Sequence, residues 1–299
     1  MVNIDKNIPA IGVDLGGTSV VAGVVKESKI ISQHKSMVPK GGTESEVIEV
    51  ICNTIGALVN DNIEGIGIGV PSVVDIEKGI VYDVQNIPSW KEVHIKDILE
   101  QRFDLPVFVN NDANCFAIGE KYFGKGKKYK DIVALIVGTG LAAGIIIDDK
   151  LYTGYNCGSG EFGMIPYLEH TYEYYSCGQF FENVHQLNGA TVFELASEGD
   201  EKALAMFDEM GEHLGHAITT ILYSYDPEII ILGGSVSQAY PFFKKALWDR
   251  IKKVAFKPIV DRLTIDISNQ GNIAVLGAAA LYYDSSLSQT DTLKNLNEL

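Results

Sequence analysis

The densest polar chemistry in the chain lies in "VFVNNDANCF", where Asn111, Asp112 and Asn114 follow an apolar run and precede a helical pattern. A short amide or carboxylate there can accept the unpaired N–H groups of a helix start, or it can meet a polar ligand. A second carboxylate, Asp14, closes another apolar run in "AIGVDLGGTSVVAGVV", and Gly16, Gly17 and Thr18 follow it. An acidic group at a strand end is awkward to bury. The glycine pair removes side chains from the backbone, so a polar ligand can come close to the main chain. Two more glycine turns follow apolar runs, at Gly138-Thr139-Gly140 and at Gly233-Gly234. Glycine turns with free N–H groups can cradle phosphates, although one such turn alone is usually a hairpin. The P-loop pattern GxxxxGK[ST] is absent.

These turns need elements to hold them. Residues 10–25 read as two strands joined by the glycine turn, and 29–37 as a third. In "GGTESEVIEVICNTIGALVND", Thr43 and Glu46 form a capping box. Val47, Ile48, Ile51 and Ile55 then recur at helical spacing. "IEGIGIGVPSVVD" is a strand running into a Pro71-Ser72 turn, and "DLPVFVNNDANCFAIGEKYFG" is a strand, a polar turn and a helix. A second cycle opens at Asp131 with strand, Gly-Thr-Gly turn and strand. A helix, "EHLGHAITTILYSYD", precedes the third glycine turn. "NIAVLGAAALYYDSS" is a last helix, and the polar tail "LSQTDTLKNLNEL" frays or adds a short extra helix. The unit of strand, glycine turn and strand recurs about 125 residues later, which suggests a duplicated α/β architecture. Two such halves leave a cleft, a common place for ligands.

Composition narrows the classes. The 299 residues allow two domains, and 46 % apolar content can fill two cores. No apolar run of about 18 residues occurs, so no membrane span is expected. "MVNIDKNIPA" lacks the pattern of a signal peptide, and a cytoplasmic location is expected. Net charge is −15, with 24 Lys and Arg against 39 acids, which argues against a nucleic-acid partner. "KYFGKGKKYKD" (Lys121 to Asp131) reads as a solvated loop. Cys52, Cys115, Cys157 and Cys177 form no CxxC pair and are expected to be reduced, mostly buried thiols.

"GVDLGGTSVVAGVV", "GVPSVVD", "NNDANCFAIGE", "GTGLAAGIII", "GSGEFG" and "IIILGGSVS" occur in an order that resembles the ROK family, across about residues 10–282. That family holds sugar kinases and sugar-responsive repressors of the actin-like ATPase superfamily. The resemblance implies two actin-like (ribonuclease H-like) α/β domains flanking a cleft. The smaller would comprise residues 1–113 with a C-terminal helix over about 273–299, and the larger residues 114–272. It implies ATP-dependent phosphorylation of a hexose hydroxyl, as in a glucokinase or an N-acetylmannosamine kinase. Gly16, Gly17, Thr18, Gly138, Thr139 and Gly140 would bracket the ATP phosphates, and Gly233 and Gly234 would lie near the adenosine. Asp14 would face Mg²⁺, directly or through water. Asp112 resembles the general base that takes the proton of a sugar hydroxyl. Asn111 would hold neighbouring hydroxyls, and Glu161 and Glu182 resemble glutamates that grip the sugar. Asn86 is either a pocket residue or a turn asparagine. Trp90, Phe162 and Tyr175 read as core or rim. A homodimer is implied.

The chain departs from the family where GE-x-GH and C-x-C-G-x-x-G-C-x-E are usual and hold a structural zinc. Here the sequence reads "GEFGMIPY" and then "YYSCGQFFE". Met164 stands at the histidine position, Tyr175 and Phe180 stand at cysteine positions, and only Cys177 remains. One thiolate cannot make a tetrahedral zinc site, and His170 and His185 lack the spacing to rebuild it. No structural zinc is expected. An apolar cluster of Met164, Tyr175, Phe180 and Phe181 is expected to staple the loop instead. Ser72 stands where the family commonly has glycine, either near the sugar or capping a turn. The lost histidine keeps a second reading open, a catalytically weak sugar-binding or sensing protein. A DNA-binding repressor is disfavoured, because the first glycine turn starts by residue 16.

Overall fold

A computed structural model describes the backbone of residues 7–297 and the side chains of residues 7–285. The chain divides into two compact α/β units. Unit 1 takes in 1–128, 149–159 and 269–299, and unit 2 takes in 129–148 and 160–268.

Unit 1 opens with β1 (Ala10–Leu15), β2 (Ser19–Lys26) and β3 (Lys29–Met37), then α1 (Glu44–Gly56) and β4 (Ile66–Val70). A small sheet follows from β5 (Val74–Asp75), β6 (Ile80–Tyr82) and β7 (Glu92–Val93), and then come α2 (Ile95–Phe103), β8 (Val107–Asn111) and α3 (Asp112–Tyr122). The main sheet runs β3-β2-β1-β4-β8. β1 pairs antiparallel with β2 and parallel with β4, and β4 pairs parallel with β8. β1 and β4 are almost wholly buried, as apolar runs at the centre of a covered sheet should be. β3 is mostly exposed and carries Lys29 and Lys35, the charged pattern of an edge strand. The capping box on α1 forms as expected: Thr43 N donates to Glu46 Oε2 at 2.8 Å and Glu46 N donates to Thr43 Oγ1 at 3.3 Å. Its Val47, Ile51 and Ile55 are fully buried.

Unit 2 repeats the plan. β9 (Ile132–Val137) and β10 (Leu141–Ile147) form the hairpin, and β11 (Lys150–Tyr152) follows in the 149–159 segment. After the short pair β12 (Pro166–Tyr167) and β13 (His170–Thr171) come α4 (Tyr172–Ser176), α5 (Phe180–His185), α6 (Gly189–Ser197) and α7 (Glu201–Tyr225). β14 (Ile229–Gly233), α8 (Tyr240–Ile251), α9 (Lys257–Arg262) and β15 (Thr264–Ile267) close the unit, and α10 (Ile273–Asn297) returns to unit 1. β10, β9, β14 and β15 stand side by side, antiparallel and then parallel twice, as β2, β1, β4 and β8 do. The duplicated reading therefore holds, and both units have the actin-like α/β plan.

Three expectations shift. The boundary near residue 113 moves, because α3 packs along α10 and beside β4, so residues 114–128 stay with unit 1. α10 lies against β1 and β4 so closely that a methyl on Gly12 or Gly67 would overlap its backbone carbonyls. The polar tail adds no separate helix, since the backbone of α10 continues to Asn297; the side chains of 286–299 lie outside the described residues. The lysine loop is not solvated throughout, because Lys121 is buried and paired with Asp149. All four cysteines are free and buried. Trp90 and Phe162 are core residues at 0 % and 6 % exposure.

Candidate active site

In unit 1, β8 passes straight into α3 with no residue between, so the expected polar turn is the end of a strand and the first turn of a helix. Asn111 is the helix cap. Its Oδ1 accepts from Ala113 N at 2.8 Å, and its Nδ2 donates to Ser72 O at 3.2 Å. Asp112 follows at the first helical position and its Oδ1 also accepts from Ala113 N, at 2.8 Å. The cap and the candidate carboxylate thus occupy adjacent residues. The Ser72 hydroxyl donates to Tyr82 O, so it fixes the Pro71-Ser72 turn. Asn110, which sequence reasoning did not single out, ties this corner together. Its Oδ1 accepts from Asn111 N at 2.8 Å, from Asn114 Nδ2 at 2.9 Å and from Cys157 Sγ at 3.5 Å. Asn110, Asn114 and Cys157 are each at most 4 % exposed.

Register brings the second carboxylate to the same place. Asp14 of β1 stands opposite Gly69 of β4, and Gly69 stands opposite Asn110 of β8. Asp14 and Asp112 therefore sit at the carboxyl ends of parallel strands, where ligands of open α/β sheets bind. The buried Cys115 thiol reports both groups: burial pushes its pKa well up, and the charges of Asp112 and Asp14 add to the shift. Burial also raises the Asp14 carboxyl, with no other cause acting on it. In the first glycine turn, Gly16 N donates to Ser19 O at 2.9 Å. A methyl on Gly17 would meet Asn86 Cβ at 2.5 Å, so glycine there lets Asn86 pack over the turn. Thr18 is exposed beside it.

Unit 2 brings its two glycine turns together. Gly138, Thr139 and Gly140 link β9 to β10, and Gly138 N donates to Gly140 O at 3.0 Å. Gly234 has φ +83° and lies so near Val137 and Gly138 that any Cβ would clash. The start of α5 clamps the second turn. Gly178 N donates to Gly138 O at 2.7 Å, Cys177 Sγ to Thr139 O at 2.8 Å and Gln179 Nε2 to Thr139 O at 3.0 Å. Glu173 Oε2 accepts from Leu141 N at 3.0 Å. Glu161 is exposed just before the turn Phe162–Met164; partial burial of its carboxyl raises the pKa, and the charge of Glu173 adds to the shift. Glu161 is thus within electrostatic reach of the same turn. Glu182 is exposed on α5, and among the described residues no side-chain bond joins it to this network.

The expected apolar staple forms with different members. Phe180 and Phe181 are buried, with ring centroids 5.3 Å apart, and Phe181 lies 4.8 Å from Phe207. Tyr175 is half-buried, 5.8 Å from Tyr167, which stacks on Tyr172 at 4.6 Å. Met164 is 59 % exposed and takes no part. Its place on the short turn Phe162–Met164 points it outward, while the longer aromatic side chains reach the core. Among the described residues, no group of three His, Cys, Asp or Glu could hold a metal. Glu173 and Gln179 lie inside the stretch already noted for its missing cysteines, whereas Cys157 carries no sequence signal because its partners are distant in the chain.

A family model described as the ROK family matches residues 10–181 and 176–285. The glucokinase of Thermotoga maritima is 33 % identical over 264 residues, covering 77 % of this chain and 82 % of its own. The xylose repressor of Caldicellulosiruptor bescii is 27 % identical over 329 residues, covering 96 % of this chain and 82 % of the repressor. A crystal structure of a ROK family glucokinase from Streptomyces griseus in complex with glucose and AMPPNP superposes with a TM-score of 0.77 at 29 % identity. It covers 91 % of this chain and 98 % of that one. With its glycine turns, its Asn111-Asp112 corner and this match over nearly its whole length, the chain belongs to the ROK family.

Proposed function

We propose that this chain is an ATP-dependent sugar kinase that phosphorylates a hexose hydroxyl. The observation that carries the reading is Asp112, half-buried at the start of α3 and backed by the Asn110 network at the carboxyl ends of parallel strands. Asp112 orients the acceptor hydroxyl and takes its proton as the new O–P bond forms; the bond from the γ-phosphorus to the bridging oxygen breaks and ADP leaves. Asn111, held by Ser72 O and Ala113 N, keeps that corner fixed. Glu161 and Glu182 hold sugar hydroxyls, and Asn86 contributes from above the first glycine turn. The backbone N–H groups of Gly17, Thr18, Thr139 and Gly140 face the phosphates, in turns that Gly16 N and Gly138 N close by bonding to Ser19 O and Gly140 O, and Gly233 and Gly234 lie toward the nucleoside.

The residues present fit Mg²⁺. Asp14 is a carboxylate at the carboxyl end of β1, beside the first glycine turn and opposite Gly69, and burial raises its pKa. Asp14 would hold the ion, directly or through water, and the ion would supply neutralisation of phosphate charge.

An ADP-release assay across a panel of hexoses, with Asp112→Asn beside the parent chain, tests the reading. Turnover with at least one hexose is expected, falling about 10²–10⁴-fold in the variant while calorimetry still detects sugar binding. Near-parental turnover in Asp112→Asn would reject the assignment. A second reading, a weakly active sugar-binding or sensing protein, draws on Met164 at the family's histidine position; sugar binding without ADP release from any hexose would favour it.

A further inference from the structure

The outer face of α8 has an electrostatic character opposite to the rest of the chain. On this face Lys244, Lys245 and Lys252 stand against one carboxylate, Asp249, in a protein of net charge −15. A cavity of about 650 Å³ opens on this face, lined by Tyr240, Lys244, Lys245, Trp248, Lys252 and Ile265 among others. Lys244 Nζ stands 5.6 Å from the centre of the Tyr240 ring, and Trp248 Nε1 donates to Tyr240 Oη at 3.1 Å, so the two rings are fixed to each other. Asp249 pairs with Lys245 at 2.8 Å and reaches Lys252 at 4.0 Å, which leaves Lys244 and part of the remaining positive charge uncompensated in the lining. Flexible ammonium groups around aromatic faces suit a ligand with phosphate groups and a ring.

We propose that this cavity is a second ligand site, for a run of phosphate groups as carried by a nucleoside di- or triphosphate or a free oligophosphate. The lining from Tyr240 to Lys252 spans about 18 Å along the helix, leading away from the third glycine turn. Its lining shares no residue with the glycine turns assigned to the phosphoryl donor, and the proposal stands whether or not the kinase reading does. Occupancy of a basic face by a polyanion changes the local field and weakens with salt.

The two tryptophans make the test direct, because Trp90 is fully buried in unit 1 while Trp248 lines the cavity. In the Trp90→Phe protein, ADP and inorganic tripolyphosphate are titrated separately against Trp248 fluorescence, and equilibrium dialysis counts bound ADP. Saturable quenching and two ADP per chain are expected. The double variant Lys244→Glu/Lys252→Glu should lose one ADP and the quenching, with the KM for ATP unchanged. Lys244→Gln and Lys252→Gln should each weaken binding about fivefold, and Asp249→Asn should tighten it by a similar factor. These neutral variants decide the matter if charge reversal unfolds the protein. Tighter binding of ADP than of tripolyphosphate assigns the site to a nucleotide, and equal binding assigns it to a free oligophosphate. No saturable quenching by either ligand, or quenching that survives in the double variant, or a KM for ATP that rises with the loss of quenching, would overturn the proposal.

Discussion

Asp112 owes its position to side chains placed behind it. Asn110 accepts three hydrogen bonds in a buried corner, and removing one partner there leaves polar groups unpaired at about 1–3 kcal/mol. Asn110→Ala is therefore expected to lower the unfolding midpoint and to reduce kcat more than it raises KM; a variant with parental kcat would show that Asp112 does not depend on this network. Asp14 gives a pH prediction. Burial disfavours its charged form, so its pKa in the folded chain lies above the ordinary carboxylate value. The ionised group then costs stability at neutral pH, and that cost disappears as pH falls through the raised pKa. Asp14→Asn should accordingly melt higher than the parent at pH 7, with the difference vanishing in acid, while ADP release is lost at every pH. Thermal melts of both proteins from pH 4 to 8 would reveal a constant difference if the shift were absent.

At the scale of elements, α10 depends on glycine. A methyl on Gly277 would overlap the Cys115 carbonyl oxygen, and one on Gly67 would overlap that of Ala278. Gly277→Ala should cost about 1–3 kcal/mol or prevent folding, because overpacked contacts relax only by moving backbone. Chemical denaturation measures this, and a neutral result would mean that α10 can slide on α3. Tyr122 Oη donates to Asp284 Oδ1 at 2.5 Å and closes the same helix pair. In unit 2 the start of α5 holds the second glycine turn, and Phe180 anchors it in the core at 0 % exposure. Phe180→Ala should remove about 3–5 kcal/mol and raise the KM for ATP through a loosened Thr139 loop; an unchanged KM beside a lower melting point would confine Phe180 to packing.

For the whole molecule, two α/β units repeat one strand plan, and each carries part of the proposed chemistry. Unit 1 holds the two carboxylates and the Asn110 network, and unit 2 holds the paired glycine turns and Glu161. Aromatic packing of Phe180, Phe181, Tyr175, Tyr167 and Tyr172 is proposed to do in this chain what a bound zinc does in relatives with the full cysteine motif. Prolonged treatment with a strong chelator is thus expected to leave the melting temperature unchanged, and a fall of several degrees accompanied by released zinc would contradict the proposal.

The sequence by itself determined the candidate site residues and the plan of the sheets. Glycine turns after apolar runs, a capping box and a cluster of short polar residues are local signals, and local backbone preference carries them into the structure. It also showed that the cysteine set was broken. Only the tertiary structure decided that Asn110 gathers Asn114 and Cys157 behind Asp112, that register sets Asp14 beside the same corner, and that α3 belongs with α10. It also turned Met164 out of the aromatic staple and Lys121 into a buried pair with Asp149. Those outcomes depend on strand register, helix packing and contacts between residues far apart in the chain, and pairings of that kind have no local periodicity from which to read them.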